Sequence, residues 1–152
     1  MKHLFAATAL TLTIASPLTA GPVEDYTELR EDVWQDMLDD NPTLATSVGD
    51  RRGDGQLGDL SMAAYDRNVA EDREFLARLN AIDESALPED LRVDYAILKS
   101  SLEDGIEGAQ FDQARYVLFT NRGGWFSWIA SLPYSSPLFT KADYESYVSR
   151  LE

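Results

Sequence analysis

The sequence contains no cysteine and only one histidine, His3, which lies close to the N-terminus. Without cysteine there is no disulfide, no thiolate nucleophile and no thiolate metal ligand. Because no imidazole follows His3, the usual His and Cys zinc sites, Ser-His-Asp triads and Cys-His pairs are excluded from the rest of the chain. We therefore expect no catalytic residue, metal ligand or cofactor site of these kinds here.

The sequence also lacks an apolar run of the roughly 20 residues that a membrane-spanning helix needs. A shorter apolar run, residues 4–14, follows Lys2, is broken by Ser16 and Pro17, and leads to Ala20. This order is typical of a secretory signal peptide, so we predict that residues 1–20 are removed on export. The expected location is periplasmic or secreted; the alternative is a buried N-terminal helix.

Basic residues are few: 13 Lys and Arg stand against 27 Asp and Glu, which gives a formal net charge of −14. Removal of the predicted signal peptide makes this −15, because Lys2 leaves with it. Such a surface repels nucleic acids and anionic lipid headgroups, so we expect neither as a partner. The acidity also keeps an exported protein soluble.

Apolar residues recur at helical spacing through most of residues 21–152, which predicts an all-α fold, an antiparallel helical array. Each predicted helix has a local start or stop signal of the kind that capping residues, proline and glycine provide. The predicted helices span residues 23–40, a short stretch from Asn41-Pro42 to Gly49, Ser61 to about Asn80, Pro88 to about Gly108, and Thr140 to Glu152. In the last helix, Thr140 and Asp143 predict a capping box, followed by Tyr144, Tyr147, Val148 and Leu151.

The loop of residues 49–60 is rich in glycine and acidic residues, but it does not fit a calcium loop. Counted from Asp50, the third position is Arg52 and the twelfth is Ser61, so the ligand register fails. Arg51 and Arg52 have two interpretations. They bind a substrate carboxylate with their planar guanidiniums, or they form local salt bridges with Asp54 or Asp59.

The most aromatic part of the chain lies between residues 115 and 130. Residues 115–120 form a short apolar run that is compatible with an extended strand or with coil. After Gly123-Gly124, Trp125 and Trp128 either line a substrate cleft or pack on polypeptide outside this chain.

Carboxylates spaced three or four residues apart occur on two predicted helices. Asp36 with Asp39 or Asp40, and Glu71 with Glu74, place two acids on one helical face. We interpret both pairs as solvated, because acid-base work requires a desolvated cleft that raises a pKa.

Four segments of the chain, taken in their order and spacing, carry a resemblance to a known family. The first spans residues 40–61, with Asp-Asn-Pro-Thr-Leu-Ala-Thr-Ser-Val-Gly-Asp-Arg-Arg and then Leu-Gly-Asp-Leu-Ser. The others are Phe-Leu-Ala-Arg-Leu-Asn-Ala-Ile-Asp at 75–83, Leu-Pro-Glu-Asp-Leu-Arg-Val-Asp-Tyr-Ala-Ile-Leu at 87–98, and Asp-Tyr-Glu-Ser-Tyr-Val-Ser-Arg-Leu at 143–151. In this order and spacing, the four segments resemble the bacterial family catalogued as domain of unknown function 885.

The resemblance implies that residues 21–152 are the N-terminal part of a larger helical fold similar to zinc metallopeptidases. In that chemistry a His-Glu-x-x-His helix holds zinc and activates water, and no residue of this chain matches that motif. The implied role is a wall or cap of a peptide-sized cleft, with the missing catalytic region as partner and zinc in the full-length protein. We expect the segment alone to be inactive.

Three hypotheses remain, of which the third is a structural or interaction domain whose acidic face meets a basic partner. In the first, the chain is part of an exported hydrolase and is truncated, because its last helix carries no stop signal before Glu152. In the second, it is a stand-alone exported helical module that binds or interacts without catalysis. None of the three hypotheses identifies a substrate or an oligomeric state.

Overall fold

A computed structural model describes residues 21–111 and 129–152 of the chain. The predicted signal peptide, the apolar run at 115–120, and Trp125 and Trp128 lie outside these described residues. Within them the structure contains helices, turns and no strand, so the predicted all-α class is confirmed. No helix in the described part is long and apolar enough to cross a membrane.

Five described helices agree closely with the predicted ones, whereas a short helix near residue 133 was not predicted. The helices are α1 Pro22–Asp40, α2 Pro42–Ser47, α3 Met62–Asn80, α4 Glu89–Gly108, α5 Leu132–Ser135 and α6 Lys141–Leu151. Short 3-10 turns occupy Arg51–Gly53, Glu84–Ala86 and Ala109–Phe111. These turns lie between or directly after the helices, and the one at Arg51–Gly53 lies in the glycine-rich loop of residues 49–60.

The helices begin where the sequence places capping residues. The Asn41 side chain accepts a hydrogen bond from the Leu44 N–H at the start of α2, and Ser61 accepts one from Ala64 at the start of α3. The chain leaves α2 through Gly49, whose φ of 91° lies in the left-handed region that favours glycine.

The three long helices form an antiparallel array. Arg78, near the end of α3, pairs with Asp32 in the middle of α1, and Glu71, further back in α3, lies beside Asp36 and Asp40 at the end of α1. The two helices therefore run in opposite directions. The Tyr95 hydroxyl of α4 donates to the Leu79 carbonyl of α3 over 3.1 Å. Asp72 of α3 lies against Gly105 further along α4, so this pair is antiparallel too.

The core lies between these helices, where the apolar stripes read from the sequence meet. Its buried residues come from all three helices and from the linker that joins α3 to α4: Tyr26, Leu29, Leu79, Leu87, Tyr95 and Leu102. The two tyrosine rings pack at a tilt of 43° with centroids 5.9 Å apart. Because Tyr26 is completely buried, its hydroxyl needs a partner, and it donates to Asp94 over 3.0 Å.

Candidate functional site

Arg51, one of the two arginines predicted to bind substrate, is held by two carboxylates. Its Nε lies 2.6 Å from Asp54 Oδ2, and its Nη2 forms an ion pair with Asp143 at the start of α6. The local salt bridge with Asp54 was one of the two interpretations of this residue. The bond to Asp143 was not foreseen, and it joins the loop after α2 to the last helix.

Arg52, the second candidate, lies on the outside of the same turn. Its guanidinium pairs with Asp50 at 2.7 Å and lies 3.4 Å from Asp39 on α1. It also donates to the Gln35 amide oxygen over 2.8 Å. Both arginines are about half exposed, so a substrate carboxylate would have to compete with carboxylates that already hold them. Substrate binding by Arg51 and Arg52 stays a prediction.

A third arginine, Arg150, lies beneath this turn and was not singled out from the sequence. Only 3% of its surface is exposed. Its Nη2 donates to the Thr46 hydroxyl over 2.7 Å and to the Gly53 carbonyl oxygen over 2.8 Å. Burial lowers the pKa of the guanidinium, and the nearby Asp54 opposes that shift. The hydroxyl and carbonyl acceptors and the charge of Asp54 compensate part of the cost of burying this charge, while the Arg150 Nε has no hydrogen-bond partner among the described residues.

Thr46 connects the two arginines. Its hydroxyl oxygen accepts a hydrogen bond from Arg150. The hydroxyl has one proton to donate, and two acceptors lie within reach: Asp54 Oδ1 at 2.9 Å and the Pro42 carbonyl oxygen at 3.0 Å. Asp54 in turn accepts from Arg51. We refer to Thr46, Arg51, Asp54, Asp143 and Arg150 as the polar network. It connects α2 and the following turn to α6.

Asp143 serves both the polar network and the start of α6. It completes the predicted capping box: its Oδ2 accepts from the Thr140 N–H over 2.8 Å, and the Thr140 hydroxyl accepts from the Asp143 N–H over 3.3 Å. The Arg51 guanidinium, followed by the Thr140 N–H, lowers the pKa of the Asp143 carboxyl to about 2. The carboxylate is therefore a fixed negative charge at neutral pH, suited to holding α6 and unsuited to proton transfer.

A second polar group lies at the C-terminal end of α1. Carboxylate oxygens of Asp36, Asp40 and Glu71 all lie within 4.8 Å of one another, and each residue is partly buried. One oxygen of Glu71, Oε2, is buried without a hydrogen-bond partner. Burial, then the charge of Glu71, raises the pKa of Asp36 to about 6. We refer to these three residues as the carboxylate cluster.

This arrangement differs from the solvated pairs predicted from the sequence. Asp39 and Glu74 are exposed as expected, whereas Asp36, Asp40 and Glu71 meet across the interface between α1 and α3. Asp72, next to Glu71, also turns inward against Gly105, and burial raises its pKa. The spacing of Asp36 and Asp40 placed them on one face, but only the register of the two helices brings Glu71 to them.

Comparison with known protein families gives a match over most of the chain. The profile of a family described as bacterial proteins of unknown function, DUF885, matches residues 42–152. The chain belongs to this family. No curated protein and no solved structure gives a significant match. All five residues of the polar network fall inside the matched range of this DUF885 chain, whereas Asp36 and Asp40 precede it.

The described residues do not fit the zinc site that the resemblance to metallopeptidases implies. Zinc sites in proteins use His or Cys together with carboxylates, and the described part of this DUF885 chain contains neither. The carboxylate cluster offers oxygen ligands alone, a donor set that suits hard cations such as Ca²⁺, Mg²⁺ or Mn²⁺. These residues therefore supply no ligand set for zinc.

Proposed function

We propose that this chain is the helical N-terminal region of an exported zinc-dependent hydrolase that acts on peptides. The catalytic motif of that enzyme would lie in polypeptide outside these 152 residues. The observation that carries the proposal is the family match over residues 42–152 of a chain with no cysteine and with His3 as its single histidine. The proposed metal, zinc, and the proposed substrate class, peptides, are supported by the resemblance to metallopeptidases alone.

The proposed role of this region is to form a wall or cap of the substrate cleft. A cleft wall must hold its shape, because a binding site works only when its groups are positioned before the ligand arrives. The buried guanidinium of Arg150 and the ion pair of Arg51 with Asp143 hold α6 against α2 and its turn. Arg51 and Arg52 supply half-exposed guanidiniums at this place, and they are our candidates for contact with a peptide carboxylate.

Export is the second part of the proposal. It depends on residues 1–20, whose Lys2, apolar run and Ala20 follow the order of a signal peptide. N-terminal sequencing of protein recovered from the periplasm or medium should begin near residue 21. A product that stays in the cell and retains Met1 would contradict export without affecting the rest of the proposal.

The decisive experiment compares the full-length gene product with the 152-residue chain. We expect the full-length product to bind one zinc ion and to hydrolyse unstructured peptides, and the 152-residue chain to do neither. A reading frame that stops at residue 152, or a full-length product without zinc or hydrolysis, would reject the proposal. The alternative function, a stand-alone exported helical module, predicts a reading frame that stops at residue 152.

A further inference from the structure

Helix α6 packs with its polar side inward. Asp143 and Arg150, which are 4% and 3% exposed, face the turn after α2. On a different side of the helix, Tyr144, Val148 and Leu151 are spaced by four and three residues and therefore share one face. They are 55%, 53% and 50% exposed, respectively. We refer to these three as the outer face of α6.

This orientation is the reverse of what an amphipathic helix adopts on a lone domain, where the apolar stripe covers the core. The polar network fixes it. A rotation of α6 that buried the outer face would break the bonds from Arg150 to Thr46 and Gly53 and the ion pair of Asp143 with Arg51. Leaving the buried guanidinium of Arg150 without these partners would be strongly destabilising. The outer face therefore stays available for contact with polypeptide that does not come from the helix array behind it.

We propose that the outer face of α6 is the docking surface for the polypeptide that follows residue 152 in the full-length protein. This inference rests on the proposed function, because it needs the larger protein to exist. A segment that follows residue 152 starts within one residue of Leu151. It therefore reaches the outer face with a small loss of loop-closure entropy.

The size and charge of the surface argue against a second copy of the chain as its occupant. Three half-exposed side chains offer on the order of 300 Å², well below the ~800 Å² per partner of a stable complex. Each copy also carries a formal net charge of −14, which opposes self-association. A covalently connected segment needs far less surface, because its effective concentration is in the millimolar range.

The chain contains no cysteine, so a single introduced thiol reports directly on the accessibility of one position. The test uses Val148→Cys on the outer face and Leu60→Cys as the matched control, since Leu60 is 79% exposed in the loop before α3. Both variants are made in the full-length protein and in the 152-residue chain. The rate of reaction with a maleimide is then measured at several protein concentrations.

We expect the thiol of Val148→Cys to react at least about tenfold more slowly in the full-length protein than in the 152-residue chain, because docking removes it from solvent. Leu60→Cys should react equally fast in both. Equal rates for Val148→Cys in the two proteins would overturn the inference. So would a rate in the 152-residue chain that falls as its concentration rises, which would assign the face to a second copy.

The labelling rate does not depend on catalysis, so the two proposals fail separately. A full-length protein that protects Val148→Cys but neither binds zinc nor hydrolyses peptides supports the docking surface and rejects the proposed hydrolase. An active zinc enzyme that leaves Val148→Cys accessible rejects the docking surface alone. A reading frame that stops at residue 152 rejects both.

Discussion

Arg150 Nη2 lies 2.7 Å from the Thr46 hydroxyl oxygen and joins residues 104 positions apart in the sequence. The bond connects the last described helix to the second. Because Arg150 is buried, each of its hydrogen bonds replaces water that the charged group has lost on folding. This pair therefore determines where α6 lies, and with it the direction in which the outer face of α6 points.

The first prediction concerns that pair. Arg150→Met should lower the free energy of unfolding by about 3 kcal/mol, because charged hydrogen bonds to Thr46 and Gly53 are lost together. Urea unfolding followed by circular dichroism measures the change. Arg92→Met, at an exposed position on α4, is the matched control and should change the value by less than about 0.5 kcal/mol. Equal effects of the two substitutions would show that the polar network does not stabilise the fold.

The second prediction concerns the hydroxyl of Tyr26 in the core. The ring is fully buried, and burial followed by the bond to Asp94 raises its pKa. Tyr26→Phe keeps the packing and removes the bond to Asp94, so it should cost about 1 kcal/mol of stability. Tyr26→Ala also empties the space between α1 and α4 and should cost about 4 kcal/mol. Thermal unfolding measures the stability of both variants. A phenylalanine variant that is less stable than the alanine variant would contradict this prediction.

The third prediction compares two glycines. A Cβ added at Gly53 would lie 2.6 Å from Pro42 Cβ and 2.8 Å from Pro42 Cα, so the turn would have to move away from α2. A Cβ at Gly108, at the end of α4, would meet nothing within 4 Å. Gly53→Ala should therefore lower the melting temperature, and Gly108→Ala should leave it unchanged or raise it slightly. A thermal scan in which Gly108→Ala lowers the melting temperature and Gly53→Ala does not would show that the close approach of the turn to Pro42 does not contribute to stability.

The fourth prediction is a pH dependence of stability from the carboxylate cluster. The pKa of Asp36 is raised from 3.8 to about 6, so between these values the folded chain holds a proton that the unfolded chain releases. The contribution of Asp36 to stability should therefore fall as pH rises from about 4 to 6 and stay low above that range.

Asp36→Asn removes this titration. At pH 8 it should be more stable than the original chain by about 1 kcal/mol, a value reduced from the full shift because the cluster is partly solvated. At pH 4 the difference should be small. Glu74→Gln, at an exposed acid one turn from Glu71, is the control and should show no such pH dependence. Urea unfolding at both pH values measures the effect, and a stability difference that is the same at pH 4 and pH 8 would reject it.

The helices were predictable because their boundaries are encoded locally. Asn41, Ser61 and Thr140 cap helices within three residues of themselves, and Gly49 ends α2 by adopting a positive φ. The core was predictable for the same reason, since the stripe of Tyr95 and Leu102 follows helical spacing within α4.

The candidate site was not predictable in this way, because its contacts join distant parts of the chain. No local pattern links Arg150 to Thr46 or Asp143 to Arg51. The sequence identified Tyr144, Val148 and Leu151 as apolar positions of one helix. It did not show that they face outward, because that depends on which side of α6 carries the buried ion pair.

The zinc content and the peptide-hydrolysing activity of the purified 152-residue chain, freed of contaminating proteases, decide whether the chemistry resides in this chain or in other polypeptide. We predict no stoichiometric zinc and no hydrolysis, since residues 4–152 supply neither imidazole nor thiol. One bound zinc ion per chain, or peptide cleavage that co-purifies with the chain, would contradict the claim that its chemistry comes from other polypeptide.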